Sequence, residues 1–155
     1  MLQFAYGSNL DLAQTRARCP SARCEAKALL RGYRLWFPRY GLARRCGVAS
    51  IEPADGDHVW GVVYEIPDDE VFKMDEAEDF EPNRPPDQNS YNRVQIEVLR
   101  NGKPATPITV FTYIAVPQPK PPLPNADYRN TIIRGARASG LPEEYVKRLE
   151  AIRIA

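Results

Sequence analysis

The 155-residue sequence predicts an α+β fold, in which helices accompany a curved sheet of mixed but mostly antiparallel strands. Strand patterns fill the middle of the chain, whereas helical patterns lie near its ends and between the strands. Glycines also occur inside the predicted strands, at Gly47 and Gly61, where they permit bulges or the close approach of two backbones. These glycines suggest that the sheet closes into a small barrel.

The first predicted elements are a strand, a glycine bend and a helix. A short apolar run over residues 2–6 predicts the strand, which ends at Gly7. Residues 11–18 favour a short helix that ends before Pro20, because a residue that precedes proline avoids helical backbone. Arg18, in the last turn of this helix, is expected to remain in water.

Three further strands are predicted before the central helix. Residues 26–37 are rich in large apolar and aromatic side chains and predict a long strand. The basic, glycine-containing residues 38–45 follow as a loop, which we expect to be solvated. Two more strands, over residues 46–51 and 59–66, are separated by the turn signals of residues 53–57.

The central helix is predicted from its start signals. Pro67 suits a first helical position, and three acidic residues follow it at the positive end of the helix dipole. We expect this helix to reach residue 79. Residues 81–89 then contain three prolines and predict an irregular segment, which we expect to form a mobile flap over a cleft.

A hairpin, a connector and two helices are predicted for the rest of the chain. Apolar and polar residues alternate over residues 91–100, and the Asn-Gly pair at 101–102 predicts a hairpin that returns through residues 108–115. Residues 117–124 hold five prolines and predict an extended connector rather than a docking site for an SH3-type domain. The final helices are predicted over residues 126–139 and 142–152.

The composition limits the possible partners and cofactors. The net charge of +1 provides no basic field for nucleic acid or for a membrane surface. No apolar run is long enough to cross a bilayer, and no signal peptide is evident, so we expect a cytoplasmic protein. Cys19, Cys24 and Cys46 lack the spacing of a zinc site and are expected to be free thiols. His58 is the only histidine, so we expect neither a Cys-His pair nor a metal or cofactor.

The glycine bend near the N-terminus is one candidate for a binding site. Residues 4–10, Phe-Ala-Tyr-Gly-Ser-Asn-Leu, carry small and polar residues where the first strand passes into the first helix. There the backbone can approach a ligand, and its amides can face an anion or a polarised carbonyl oxygen. From the residues alone, an ordinary tight turn with a capping side chain is the alternative.

One carboxylate of the central helix differs from the others in its position. At about 100° per residue, Val71, Met74 and Glu78 fall on one stripe of the helix. Glu70 points away from this stripe and Asp75 lies at its flank, so we expect most of the carboxylates to form a solvated face. Burial would raise the pKa of Glu78 towards the range useful for proton transfer. The alternative is that Glu78 lies in a frayed last turn and reaches water.

Three blocks of the sequence resemble the γ-glutamylcyclotransferase family. They are Tyr-Gly-Ser-Asn-Leu at residues 6–10, the pair of segments 58–64 and 74–78, and residues 128–152. The blocks occur in the family's order and cover nearly the whole chain. The resemblance implies a small mixed, mostly antiparallel β-barrel flanked by helices, formed by a single domain over residues 1–155.

The resemblance also implies an activity and a set of site residues. Members of the family release 5-oxoproline from γ-glutamyl amino acids or small γ-glutamyl peptides without a cofactor or metal, which implies a place in glutathione metabolism. The glutamate that acts as general acid and base in the family matches Glu78. For Tyr6, Tyr91 and Tyr128, packing in the core is the alternative to contact with the substrate. The implied substrate contacts are Tyr6, Gly7, Ser8, Asn9, Leu10, Tyr91 and Tyr128.

Two alternatives to this activity remain at the level of the sequence. The substrate could instead be a γ-glutamylated amine or specialised metabolite, because the proline-rich residues 80–90 depart from the family's pattern. The chain could also be a non-catalytic, small-molecule-binding member of the fold. In each case we expect a small-molecule partner, no nucleic acid or membrane partner, and a monomer or homodimer.

Overall fold

The computed structural model describes residues 1–155 and has a closed five-stranded barrel at its centre. Neighbouring strands follow the order β1-β3-β2-β4-β5, and β5 returns to β1. All pairings are antiparallel except the parallel contact between β1 and β5, where Gln3 faces Phe111. The predicted barrel is therefore confirmed. The strands are β1 (Leu2–Ala5), β2 (Arg23–Gly41), β3 (Cys46–Glu65), β4 (Tyr91–Arg100) and β5 (Pro107–Ala115).

Four helices flank the barrel, close to the positions predicted from the sequence. None of them has the length and apolarity that crossing a bilayer requires. Residues 117–124, the predicted connector, lie outside every helix and strand. The helices are α1 (Leu12–Arg18), α2 (Val71–Ala77), α3 (Ala126–Ala138) and α4 (Glu143–Glu150), and short 3-10 turns span Ser8–Leu10, Asp68–Glu70 and Pro86–Gln88.

Strands β2 and β3 are longer than predicted and form one extended hairpin. Residues 38–41, predicted as part of a loop, continue β2, and the chain reverses only over residues 42–45. The prediction of a turn between two strands at residues 53–57 is wrong. The chain does not reverse there, and β3 continues through these residues. Tyr33 pairs with Pro53 and Arg31 with His58, so the residues between Pro53 and His58 form a bulge opposite a single residue. Turn residues specify local backbone geometry, and here that geometry produces a bulge.

Helix α3 packs directly on the glycine bend. A Cβ added at Gly135 would lie 2.4 Å from the carbonyl carbon of Leu10, so only glycine allows this approach. Tyr128, Ile132 and Ala136 are buried at a spacing of four residues along the same helix. Asn125 caps the helix by accepting a hydrogen bond from the Tyr128 amide at 2.8 Å. The C-terminal part of the chain therefore supports the N-terminal bend from behind.

Helix α2 presents the apolar stripe that its sequence predicts. Val71 and Met74 are buried, whereas Phe72 is 53% exposed. Two carboxylates of this region depart from the prediction of a solvated face, because Glu70 and Asp75 are both buried. Glu70 accepts a hydrogen bond from the Ser21 amide, and a buried carboxylate with such a partner avoids most of the cost of leaving water.

Candidate active site

A cleft lies where β1 ends and the glycine bend begins. It consists of a narrow inner cavity of about 40 Å³ and an outer cavity of about 450 Å³. The inner cavity is lined by the end of β1, the bend and residues of β5, and the outer one by the tip of the β2–β3 hairpin. The residues that line both cavities are Ser8, Glu78, Tyr91 and Tyr128.

The glycine bend lines the inner cavity with Gly7, Ser8 and Asn9 and leaves backbone amides without partners. Within the 3-10 turn Ser8–Leu10, the first bonded amide is that of Leu10, which donates to the Gly7 carbonyl at 3.0 Å. The amides at the start of a helical turn have no acceptor in the turn itself, and the Gly7 amide has none elsewhere in the chain. Gly7 also packs closely, because a Cβ there would lie 3.3 Å from the Ala49 Cβ. The bend can therefore offer donors to a carbonyl or carboxylate oxygen.

Glu78 follows the last residue of α2 and lines the inner cavity beside the bend. Its side chain is 14% exposed. Oε1 accepts hydrogen bonds from the Asn9 Nδ2 atom at 3.0 Å and from the Arg18 Nη1 atom at 3.1 Å. Oε2 accepts no hydrogen bond from the protein. One carboxylate oxygen is thus held in place while the other is available to a ligand.

Burial raises the pKa of the Glu78 carboxyl above its ordinary value. The Arg18 charge and the hydrogen bond from Asn9 lower that pKa, and they offset only part of the effect of burial. A carboxyl group in this environment exchanges a proton closer to neutral pH than a solvated glutamate does, as a general acid and base requires. The helix ends at Ala77 rather than at the predicted residue 79, so Glu78 lies just beyond it. Its side chain is nevertheless turned inward as predicted, and the alternative that it reaches water is wrong.

Asn9 connects the glycine bend with both charged groups. Its Oδ1 atom accepts hydrogen bonds from the Gln14 Nε2 atom at 3.0 Å and from the Arg18 Nη1 atom at 2.9 Å. These two donors orient the carboxamide so that Nδ2 points at Glu78. The Asn9 carbonyl accepts a further hydrogen bond from the Tyr64 hydroxyl at 2.7 Å. Both the backbone and the side chain of Asn9 are therefore held in the site.

Arg18 is part of the site, contrary to the prediction that it remains in water. Its guanidinium lies between Asn9 and Glu78, and the side chain is 26% exposed. The last turn of α1 is basic, which alone is typical of a helix C-terminus. The acidic partner lies 60 residues further along the chain, so no local pattern in the sequence reveals the ion pair.

The predicted tyrosines occupy the walls of the cleft, and their hydroxyls bond to backbone. The Tyr6 hydroxyl donates to the Tyr113 carbonyl and does not reach Glu78. The Tyr91 hydroxyl donates to the Ala49 carbonyl at 2.6 Å, and the Tyr128 hydroxyl accepts from the Ala49 amide at 2.9 Å. Tyr91 and Tyr128 therefore fix the two peptide groups that flank Ala49 in β3, and both tyrosines line the cleft.

Leu10, predicted as a substrate contact, lies outside the cleft. It is 1% exposed, packs against Gly135 of α3 and lines neither cavity. The reason is the 3-10 turn, which directs Gly7, Ser8 and Asn9 towards the cleft and the next residue into the core. Its place in the sequence motif therefore reflects packing beneath the bend.

A second buried carboxylate anchors the helix that carries Glu78. Asp75 Oδ1 accepts a hydrogen bond from the Tyr113 hydroxyl at 2.6 Å, and Oδ2 accepts one from the Arg93 Nη1 atom at 2.9 Å. The arrangement ties the last turn of α2 to β4 and β5. The sequence prediction placed Asp75 at the flank of the apolar stripe, but its position three residues before Glu78 is compatible with the same inward face.

The wall of the outer cavity comes from the tip of the β2–β3 hairpin. Residues 39–44 line this cavity, whereas residues 81–89, predicted as a flap over a cleft, line neither cavity. Hydrogen bonds hold the latter segment beside the cleft: Arg84 donates to Asn89 and to the Asp79 carbonyl, and the Asn89 side chain is buried. The basic segment expected to be a solvated loop therefore lines the outer cavity.

Comparisons with known proteins agree with this fold. The profile of the AIG2-like family matches residues 58–149, which places the chain in that class of barrel proteins. The chain is 34% identical to the gamma-glutamylcyclotransferase of Mus musculus and 33% identical to that of Homo sapiens, in each case over 97% of this chain and 78% of the relative. A solved structure named Gamma-glutamyl cyclotransferase superposes with a TM-score of 0.88 at 30% identity, covering 100% of this chain and 89% of that one. The chain belongs to the gamma-glutamylcyclotransferase family, and the class of enzyme predicted from the sequence is confirmed at the level of the family.

Proposed function

We propose that this protein releases 5-oxoproline from γ-glutamyl compounds and that Glu78 transfers the protons. The observation that carries the proposal is the environment of the Glu78 carboxylate: it is nearly buried, Asn9 and Arg18 hold one oxygen, and the other is available. Glu78 and the glycine bend line the same inner cavity, which supports their use on one substrate. Membership of the family supports the same activity.

The reaction needs no covalent intermediate with the protein. The α-amine nitrogen of the γ-glutamyl group attacks its own γ-carbonyl carbon, and the bond from that carbon to the departing nitrogen breaks. The five-membered lactam forms from a nucleophile and an electrophile in one molecule, for which effective molarities reach about 10⁵ M or more. In balance, two protons move from the α-ammonium to the departing nitrogen, which leaves as an ammonium.

Glu78 would carry these protons one at a time. The carboxylate accepts a proton from the α-ammonium, which makes the amine nucleophilic, and the carboxylic acid then donates that proton to the departing nitrogen. Burial raises the pKa of Glu78 above its ordinary value, which favours the exchange of a proton with the substrate. Asn9 and Arg18 keep Oε1 fixed, which leaves Oε2 as the atom that exchanges the proton.

The glycine bend would stabilise the charge that develops during attack. Its backbone amides are candidates to donate to the γ-carbonyl oxygen as that oxygen becomes negative, or to hold the substrate α-carboxylate. Leu10 contributes by supporting the bend from the core. The substrate contacts that we propose are Tyr6, Gly7, Ser8, Asn9, Tyr91 and Tyr128.

We propose a cytoplasmic setting and a role in glutathione metabolism for this activity. The three cysteines are free, which fits a reducing compartment. Glutathione and its breakdown products are γ-glutamyl compounds, so the proposed chemistry would act on that pool. We further propose that residues 1–155 act as one domain, because the barrel, α1 and α3 all contribute to one cleft.

The proposal is tested by incubating the purified protein with a panel of γ-glutamyl dipeptides and γ-glutamylamines and measuring 5-oxoproline. Glu78→Gln keeps the shape of the side chain but removes the proton acceptor, so we expect turnover to fall by about 10²–10⁴-fold. Glu76→Gln is the matched control, because Glu76 is exposed on the same helix. Equal losses in both variants, or no 5-oxoproline from any compound, would instead support a protein that binds small molecules without converting them.

A further inference from the structure

The outer cavity carries more positive charge than its acidic residues neutralise. Three arginines line it, and only Arg18 forms an ion pair there, with Glu78. The other acidic residue of the lining, Asp79, is paired with Arg84 outside the cavity. Neither Arg39 nor Arg44 forms an ion pair with any carboxylate of the chain. Two guanidinium groups therefore face this cavity without a counter-charge.

The Arg44 guanidinium is held over the glycine bend. It donates to the Gln14 Oε1 atom, and its Cζ atom lies 5.3 Å from the centroid of the Tyr128 ring. Gln14 in turn donates to the Ser8 Oγ atom at 2.9 Å, which links Arg44 to the bend. The charge is also close enough to Glu78 to lower the pKa of that carboxyl slightly. Arg44 thus lies beside the proposed reacting groups with most of its N–H donors unused.

Arg39 lies on the other side of the same cavity. Its Nη1 atom donates to the Val116 carbonyl at 3.1 Å, which fixes the guanidinium against the start of the connector. Its charge also lowers the pKa of the Tyr91 hydroxyl, which burial raises strongly. Both Arg39 and Arg44 are half-buried, so less conformational entropy is lost when they bind an anion than for a freely exposed side chain.

This inference rests on the proposed function, in which the γ-glutamyl group reacts beside Glu78. The departing amine varies between substrates and must leave the site, so it belongs in the larger outer cavity. We propose that Arg39 and Arg44 are specificity-determining residues that bind a carboxylate on the departing amine. The protein would then act on γ-glutamyl compounds whose leaving group is an amino acid or peptide with a free carboxylate, in preference to those that release a neutral or cationic amine.

The physical basis is charge-assisted hydrogen bonding together with repulsion of the wrong partner. A guanidinium presents a fork of donors that matches a carboxylate, and such bonds are stronger than those between neutral groups. A cationic leaving group would meet two unpaired positive charges, which selects against it. Because the carboxylate is remote from the bond that breaks, its recognition acts on substrate and transition state alike and is expected to appear mainly in KM.

The test uses three matched substrates with the full-length protein. γ-Glutamylalanine carries the carboxylate, γ-glutamylalaninamide replaces it by a neutral carboxamide of the same shape, and the N2-γ-glutamyl derivative of 1,2-diaminopropane replaces it by an ammonium. The measurement is kcat and KM for 5-oxoproline release. We expect kcat/KM to be higher for γ-glutamylalanine than for the amide by about 10-fold to 100-fold, and lowest for the cationic compound.

The variants Arg39→Gln and Arg44→Gln separate leaving-group recognition from other roles. Each is expected to raise KM for γ-glutamylalanine by about 10-fold and to raise KM for γ-glutamylalaninamide, which lacks the carboxylate, by much less. Any change in kcat that the two substrates share reports effects on the fold or on Glu78. Arg45→Gln is the matched control, because Arg45 is an adjacent, exposed arginine that lines neither cavity. It is expected to leave all three substrates unaffected.

Several outcomes would overturn the inference, and they differ from failure of the proposed function. If both variants slow all three substrates equally, the arginines bind the α-carboxylate of the γ-glutamyl group or serve the fold. The same loss in Arg45→Gln would indicate a general effect of net charge. Release of 5-oxoproline without discrimination among the substrates overturns only the carboxylate subsite. No release from any compound overturns the proposed function and the subsite together.

Discussion

Asn9 and Glu78 lie 69 positions apart in the sequence and are joined by a hydrogen bond of 3.0 Å from the carboxamide Nδ2 atom to the carboxylate Oε1 atom. The bond connects the glycine bend after β1 with the end of α2. Because Arg18 donates to both side chains, the three form one closed arrangement. The bend and the carboxylate are thereby positioned relative to each other, which is the geometric condition for using both on one substrate.

Removing the Arg18 charge is expected to shift the pH dependence of turnover. Arg18 lowers the pKa of Glu78, so in Arg18→Gln that pKa rises further above its ordinary value. In the proposed mechanism Glu78 is ionised in the free enzyme to accept a proton, so the acidic limb of the kcat/KM profile is expected to move to higher pH. Arg16→Gln, at an exposed position of the same helix, is the control. A profile that does not move, or moves to lower pH, contradicts the role of Arg18.

Glu78 is expected to reduce stability where it is ionised. Its folded-state pKa is raised, so its contribution to stability is fully present below the unfolded pKa of about 4.3 and is lost as the pH rises through the folded pKa. Glu78→Gln resembles the protonated state at every pH. Urea unfolding should therefore show the variant to be more stable than the wild type at pH 8, with the difference vanishing towards pH 4. A variant that is less stable at pH 8 would show that the ion pair with Arg18 outweighs burial.

Loss of the Tyr113 hydroxyl is expected to destabilise the anchor of α2. In Tyr113→Phe the buried Asp75 carboxylate keeps Arg93 but loses its short hydrogen bond, at a cost of about 1–3 kcal/mol in the free energy of unfolding. Urea denaturation measures this value. The control is Tyr40→Phe, since the Tyr40 side chain is exposed and its hydroxyl has no partner in the chain. Equal stability of the two variants would mean that water replaces the lost donor.

Gly135→Ala is expected to invert the usual effect of this substitution in a helix. An alanine in a helix interior normally stabilises by about 0.5–1 kcal/mol relative to glycine. Here the new Cβ would lie 2.4 Å from the Leu10 carbonyl carbon, so α3 or the bend must shift, at a cost of about 1–3 kcal/mol. Thermal unfolding tests the sign, with Asn130→Ala at an exposed position of α3 as the control that should be neutral or stabilising.

Activity provides a second measurement for the same variant. Displacement of the bend would change the relative positions of Asn9 and Glu78, so 5-oxoproline release should fall more than the loss of stability explains at a temperature where the protein remains folded. Unchanged turnover in folded Gly135→Ala would show that α3 adjusts and that the bend keeps its place.

The sequence predicted those parts of the site that depend on local periodicity. Glu78 was identified because a helical stripe is a property of neighbouring residues, and the bend was identified because glycine, serine and asparagine follow a short strand. Arg18 and Asp75 were missed because their partners, Glu78 and Arg93, lie 60 and 18 residues away, and only the folded barrel brings them together. Pairings at such separations depend on strand register, which a single sequence does not specify.

The outer wall of the cleft was missed for a different reason. Basic and glycine-rich residues are typical of solvated loops, so residues 38–45 gave no sign that they would face a ligand. The proline-rich residues 81–89 are typical of a flap, but the segment lines neither cavity and forms hydrogen bonds beside the cleft. Composition does not reveal the position of either segment, because the side-chain bonds of Arg39 and Arg84 join residues that only the fold brings together.

The extended β2–β3 hairpin lines the outer cavity, while other elements hold most residues of the inner cavity. Its tip forms the outer wall, whereas Glu78 and the glycine bend depend on the barrel, α1 and α3. Under the proposed function, insertions, deletions or charge changes at residues 39–43 are expected to alter which amine is accepted more than they alter Glu78 and the bend. A scaffold divided in this way is well suited to acquiring new substrates by remodelling one hairpin.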